Sequence, residues 1–257
     1  MILDDYQKRV DQLFEQIKTT QRENIITAGK MIAETIDAGG NIYLSGICHS
    51  IEMDLFNRGG GPAFYRTFHY KLDVQSDARE RDRSDLDTDM EGLGEYILKA
   101  STIRPGDILF VGSVSGRTKG VVDLAWEAKK MGIKVIAMSS MSYAQTVDAV
   151  HSSGKKLYEF VDLTLDNCAP AAEAMLKIDG IEANFAAASG IASSYILWSV
   201  TAVALEEMMK SGKTPLLLKS ANFPGGPEYN NTEVYPHYKE YLVRHNEEVM
   251  RGGGKNG

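Results

Sequence analysis

Cysteine is nearly absent: Cys48 and Cys168 are the only two in 257 residues, and they do not stand at CxxC spacing. This excludes a disulfide framework, argues against structural zinc, and fits a reducing compartment. Basic runs are missing as well. The 28 Lys and Arg residues are outweighed by 35 Asp and Glu, for a formal net charge of -7. Affinity for phosphate backbones needs clustered cations, so no nucleic-acid partner is expected. No uncharged apolar run reaches the roughly 20 residues of a membrane span. The opening MILDDYQKRVDQLF also lacks the basic start and apolar core of an export signal. No membrane partner and a cytoplasmic location are therefore expected. Neither GxGxxG nor GK[ST] after a glycine occurs, which excludes the dinucleotide fingerprint and the P-loop.

What remains is an ordinary globular composition, 43% hydrophobic, 25% charged and 9% aromatic. It fits one domain over 1–257, divided into an N-terminal helical segment (1–38), an α/β core (39–210) and a C-terminal extension (211–257). Tyr6, Val10, Leu13, Phe14 and Ile17 recur at helical spacing. A second helical stretch from about Ile25 to Ile36 ends at Gly39-Gly40, giving a helical hairpin or one kinked helix. Short β-prone runs follow at Asn41–Gly46, Ala63–Phe68, Asp107–Val111, Lys134–Met138 and Phe160–Leu165. Helical segments are predicted at Ile51–Arg58 and Gly120–Met131. Strands alternating with helices predict right-handed crossovers and a parallel sheet covered on both faces, a three-layer doubly wound α/β fold. Gln75 to Glu95 reads as a solvated charged loop with helical turns, and the final GGGKNG as a frayed end. Ile181 to Met209 reads as a helix apolar on so many sides that it must be buried, in the core or against another subunit. Homo-oligomerisation is expected from it, and sedimentation showing only monomer at micromolar concentration would sink that expectation.

Parallel sheets bind ligands beyond the carboxyl ends of their strands, where helix N-termini offer free N–H groups. Three hydroxyl-bearing turns lie there: Ser45-Gly-Ile-Cys-His-Ser50, Ser113-Val-Ser-Gly-Arg-Thr118 and Ser139-Ser-Met-Ser142. Any one of them reads equally as N-caps and loop residues. Their recurrence after three β-runs points instead to an anion, held by Ser45, Ser50, Ser113, Ser115, Gly116, Arg117, Thr118, Ser139 and Ser140. A sugar phosphate or a similar anionic sugar, such as a sulfonated one, is the expected ligand.

The SxSGxT turn after an apolar strand, with a Gly- and Ser-bearing turn after the first strand, resembles the sugar isomerase (SIS) domain. HSIEMDLFNRGGGP, then SSMSYAQTVDAVHSSGKKLYEFVDLTLDN, then SAN with a downstream asparagine, is similar to a narrower family of single-SIS-domain proteins. The resemblance runs from about residue 5 to 240, and HSSGKKLYE is its most specific part. It implies a five-stranded parallel sheet flanked by helices, a dimer or higher homo-oligomer with its site at the interface, and a phosphosugar ligand. It also places Ser113, Ser115 and Thr118 in the phosphate-binding turn, with Gly116 allowing close backbone approach.

Aldose–ketose isomerisation moves a proton between C1 and C2 through an enediol, so it needs a base near carbon and an acid near oxygen. His49 on the first turn and His151 after the third are the candidate histidines. Asp54 matches an acid of the resembled family and is the preferred base, with Glu52 and Glu91 in reserve. The resemblance implies that Glu173 could reach a neighbouring site. No cofactor is expected. A metal held by His49 and Asp54 lacks HExxH spacing and a third ligand. A non-catalytic phosphosugar sensor stays open as an alternative, although the 40 or so residues before the first strand leave no room for a helix-turn-helix beside the sheet-packing helix. A lyase using the same enediolate chemistry stays open too.

Overall fold

Alternation along the strands builds two cores. The computed structural model describes residues 1–56, 58–72 and 91–237. Among them five strands form one parallel sheet: β1 (Ile42–Ser45), β2 (Tyr65–Thr67), β3 (Ile108–Gly112), β4 (Lys134–Ser139) and β5 (Leu163–Asp166), in the order β2-β1-β3-β4-β5. Ile42, Leu44, Ile108, Phe110, Ile136, Met138 and Leu165 face one side. There they pack on Ile17, Ile32, Ile196 and Val200 of α1 (Ile2–Thr20), α2 (Arg22–Asp37) and α6 (Ser189–Lys210). Tyr43, Leu109, Val111, Val135 and Ala137 face the other side. Their partners Leu98, Val122, Ala125 and Leu157 come from α3 (Gly94–Lys99), α4 (Lys119–Lys130) and a 3-10 turn (Leu157–Glu159). Fully burying each such aliphatic side chain contributes about 1.5–3 kcal/mol, so the three-layer arrangement follows from the period-2 pattern.

The N-terminal segment is one kinked helix. At Gln21 the backbone leaves helical geometry, yet Gln21 N–H still donates to Ile17 O (2.8 Å) and Ile25 N–H to Gln21 O (2.9 Å). The strand order reverses between β1 and β3, so the turns after these strands open side by side. Asp107 pins both strands at their start, accepting Asn41 N–H (2.7 Å) and Arg104 N–H (2.9 Å). The turn-rich tail runs back along β2: Gly60 N–H donates to Leu218 O, and Ala63 N–H to Leu216 O. It closes through α7 (Gly226–Tyr229), after which the Asn230 side chain bonds both Lys219 N–H and Lys219 O.

Three predicted elements differ. The helix expected over Ile51–Arg58 is a single 3-10 turn, Ile51–Leu55, because the preceding backbone enters it left-handed at Ser50. Residues 181–188 are not helical. An antiparallel hairpin, β6 (Ala174–Leu176) and β7 (Phe185–Ala187), occupies the region ahead of α6, with Ile181 and Phe185 exposed. The strand expected over Phe160–Leu165 begins only at Leu163. Most of the charged Gln75–Glu95 stretch, Asn57 and the terminal GGGKNG lie outside the described residues. No helix among the described residues is long and apolar enough to cross a membrane.

Candidate functional site

The first turn is tied into itself. Glu52 is fully buried, and its two carboxylate oxygens accept Gly46 N–H and Ile47 N–H, each at 2.9 Å. These two donors are therefore taken by the protein. Cys48, His49 and Ser50 follow with φ of 41°, 68° and 62°. Three consecutive non-glycine residues in the left-handed region cost on the order of 1 kcal/mol or more each and persist only where the surroundings impose them. The buried carboxylate beneath them and the Ile51 N–H to Ile47 O bond (2.9 Å) do so here. The result presents His49 outward, with its side chain 74% exposed and Nε2 3.5 Å from Glu173 Oε1. Glu173 is itself left-handed (φ 70°). Its other oxygen accepts Ser189 Oγ–H at 3.3 Å, and its carbonyl accepts Ala188 N–H at 3.0 Å, next to the N-terminus of the 22-residue α6. A carboxylate there is favoured by the helix dipole.

Beneath the pair, Cys48 Sγ lies 3.7 Å from Asn167 Nδ2, which also reaches Ser193 Oγ at 3.4 Å. Burial pushes the Cys48 thiol up to about 11. It is a neutral packing group at physiological pH rather than a nucleophile. Burial likewise pushes Cys168 up to about 11.

The second turn is open where the first is closed. Ser113 Oγ and Thr118 Oγ1 stand 2.9 Å apart across its mouth. Ser113 N–H is taken by Met138 O, and Gly116 N–H by Ser113 O. Among the described residues the amides of Ser115, Arg117 and Thr118 donate to nothing. They head the 12-residue α4, an arrangement suited to an anion. Gly116 sits at φ 66°, and a Cβ there would meet Ala144 Cβ at 3.3 Å. The two turns abut: a Cβ on Gly112, the last residue of β3, would lie 2.8 Å from Ile47 Cα and 2.9 Å from Cys48 N.

The third turn is structural in most of its contacts. Ser140 caps α5 (Met141–Ala144) by accepting Tyr143 N–H at 3.1 Å, and it donates to Ala169 O at 2.6 Å. Ser142 Oγ reaches the same carbonyl at 2.9 Å. Ser139 is fully buried on the far side of the sheet from α6. Its Oγ has no hydrogen bond among the described residues and lies 3.7 Å from the Cβ position of Gly116.

The remaining sequence candidates divide by location. Asp54 is held by Arg58 and by Trp198 Nε1–H at 3.0 Å, so both its oxygens are engaged. His151 does not join His49. It is buried, with Nδ1 within 2.8 Å of Ser153 Oγ and accepting Ser153 N–H at 3.2 Å. Its Nε2 faces Glu91 Oε1 (3.5 Å) and Asp123 Oδ1 (3.7 Å). Glu91 accepts both the hydroxyl and the amide of Ser152, and these bonds hold its carboxyl below the ordinary glutamate range. Asp123 accepts Gly92 N–H and Gly94 N–H, fixing the approach to α3. Asp123 carried no sequence signal, because an acid on an exposed-looking helix face is commonplace. The Arg117 side chain has no ion-pair or hydrogen-bond partner among the described residues and stands half-exposed on the second turn. Among the described residues no group of three His, Cys, Asp or Glu side chains is arranged to hold a metal ion.

The family model described as SIS domain matches residues 5–140, more than half of the chain. The chain belongs to the SIS domain family. Two full-length relatives are similar over nearly all of it. UPF0309 protein BH3325 of Halalkalibacterium halodurans is 32% identical, covering 92% of this chain and 98% of the relative. UPF0309 protein GK1441 of Geobacillus kaustophilus is 32% identical, covering 94% and 96%. Among solved structures, phosphoheptose isomerase GmhA from Neisseria gonorrhoeae superposes with a TM-score of 0.51 at 15% identity, over 81% of this chain and 97% of that one. At that identity the likeness shows a shared fold. In SIS terms the two abutting turns are those after the first and third strands in chain order.

Proposed function

We propose that this SIS-domain protein binds the anionic end of a phosphosugar on the Ser113–Thr118 turn and interconverts its aldose and ketose forms. The observation that carries this reading is the juxtaposition of the hydroxyl-bearing Ser113–Thr118 turn with the abutting turn that carries His49, which pairs with Glu173. The activity named for the Neisseria protein, phosphoheptose isomerisation, belongs to the same reaction class.

In this reading Glu173 takes the proton from C2, the carbonyl at C1 becomes the enediol, and the proton returns to C1 as the C2 hydroxyl becomes the carbonyl. His49 passes the hydroxyl proton between O1 and O2, so atoms balance without a co-reactant. Glu173 is favoured over Asp54 as base because Asp54 is committed to the Arg58 cation and to Trp198, whereas Glu173 faces His49, the group that would carry the hydroxyl proton. Glu52 is spent on the turn backbone, and His151 and Glu91 are placed on the α4 flank.

A panel of sugar phosphates incubated in heavy water tests the proposal, with solvent deuterium at C2 as the readout. The wild type is expected to exchange at least one of them. His49→Asn and Glu173→Gln should each lower the rate by about 100-fold or more while leaving inorganic phosphate affinity within about two-fold. Binding of sugar phosphates with no exchange in any of them would overturn the isomerase reading in favour of a non-catalytic sensor.

A further inference from the structure

The block His151–Glu159 borders the anion turn without lining it, and its backbone makes one bond of consequence: Leu157 N–H donates to Gly116 O at 2.8 Å. In a trans peptide, as Gly116–Arg117 is, the C=O and the following N–H point in opposite directions across one plane. Fixing Gly116 O toward Leu157 therefore turns Arg117 N–H the other way, and that amide donates to no described residue. Gly116 at φ 66° is the residue most able to let this peptide rotate, so without an outside hold its orientation is poorly determined.

The hold is itself anchored. Lys156 Nζ donates to Ala144 O (2.7 Å) and Val147 O (3.0 Å), capping the end of α5. Glu91 grips Ser152 at the start of the block. The Leu157 side chain is fully buried.

Resting on the proposed anion site, we infer that Leu157 is a positioning residue: its backbone amide pre-sets the Gly116–Arg117 peptide so that Arg117 N–H is presented to the bound anion. Preorganised donors need no reorganisation on binding, which is the source of the expected affinity.

Position 157 permits a clean test, because proline deletes the donor where its ring is accommodated. Lys156 is extended (φ -101°, ψ 162°), as a residue before proline must be, and Leu157 is the first residue of a 3-10 turn. Leu157→Pro and Leu157→Ala both lose the buried side chain, but only the first loses the N–H. Titration calorimetry with inorganic phosphate on the full-length protein should show the proline variant weakened by about ten-fold or more relative to the alanine variant. Should the proline variant not fold, leucic acid at 157 replaces the amide by an ester and keeps the side chain, and the same ten-fold loss is expected against wild type. Equal phosphate affinity with and without the N–H overturns the inference while leaving the anion site standing. A wild type that binds no phosphate overturns the site and the inference together.

Discussion

The Ser45–Ser50 turn folds a carboxylate into itself, whereas the Ser113–Thr118 turn is held from outside and, among the described residues, leaves the amides of Ser115, Arg117 and Thr118 without acceptors. In composition the two are alike, short and serine-bearing. Glu52 makes the difference: it consumes Gly46 N–H and Ile47 N–H, so the first turn can be strained through three left-handed residues and still hold His49 in place. The second turn has no carboxylate within it. Its shape comes from Leu157 and the close approach to Ala144, and among the described residues its Ser115, Arg117 and Thr118 amides donate to nothing. A turn that aims a side chain satisfies its own backbone; a turn suited to an anion leaves part of its backbone unsatisfied.

Four changes would break or sharpen this contrast. The largest effect is expected at Glu52. Glu52→Ala leaves the buried Ile47 amide and the Gly46 amide without acceptors and releases the left-handed run, costing about 3 kcal/mol in urea unfolding. Phosphate affinity of the fraction still folded should stay within about two-fold. Ser113→Ala should do the reverse, weakening inorganic phosphate by roughly ten-fold while stability moves by less than about 1.5 kcal/mol. Its counterpart Ser50→Ala should leave phosphate affinity unmoved in the same calorimetric assay, and a loss as large as that of Ser113→Ala would show that both turns hold the anion. The smallest effect is at Glu91, the carboxylate that secures the block outside the second turn. Its folded-state value is depressed by the Ser152 hydroxyl and amide. The stability it lends is therefore present above the ordinary glutamate range and lost as pH falls through the lower folded value. The melting temperature of Glu91→Gln should lie below that of wild type at neutral pH, and the gap should close as pH falls below about 4. A gap independent of pH would mean that the charge of Glu91 plays no part.

The sheet was legible because its signal is local. Each strand is a short run of β-branched and apolar residues, and Asp107–Val111 or Lys134–Met138 could face two cores only as parallel strands. The β6–β7 hairpin was not legible. AMLKIDGIEANFAAA is rich in alanine and helix-formers, and its strand state comes from packing, as where Phe185 meets Tyr6 of α1. In the site, the serines of the second turn could be read from their spacing. The pairing of His49 with Glu173 could not, since 124 positions separate them and only the strained backbone at each brings them together. Glu52 misled because a buried acid and a surface acid look the same in sequence. The Leu157 amide was invisible for a simpler reason: every residue but proline has one.

The Ala188 N–H to Glu173 O bond closes the base of the hairpin at 3.0 Å. Everything between these two residues is an excursion that leaves the proposed base and returns to the head of α6. Lengthening a loop whose ends are already joined costs little, about 0.6 kcal/mol for each doubling. The arm can thus lengthen or shorten at its tip while Glu173 stays where it is.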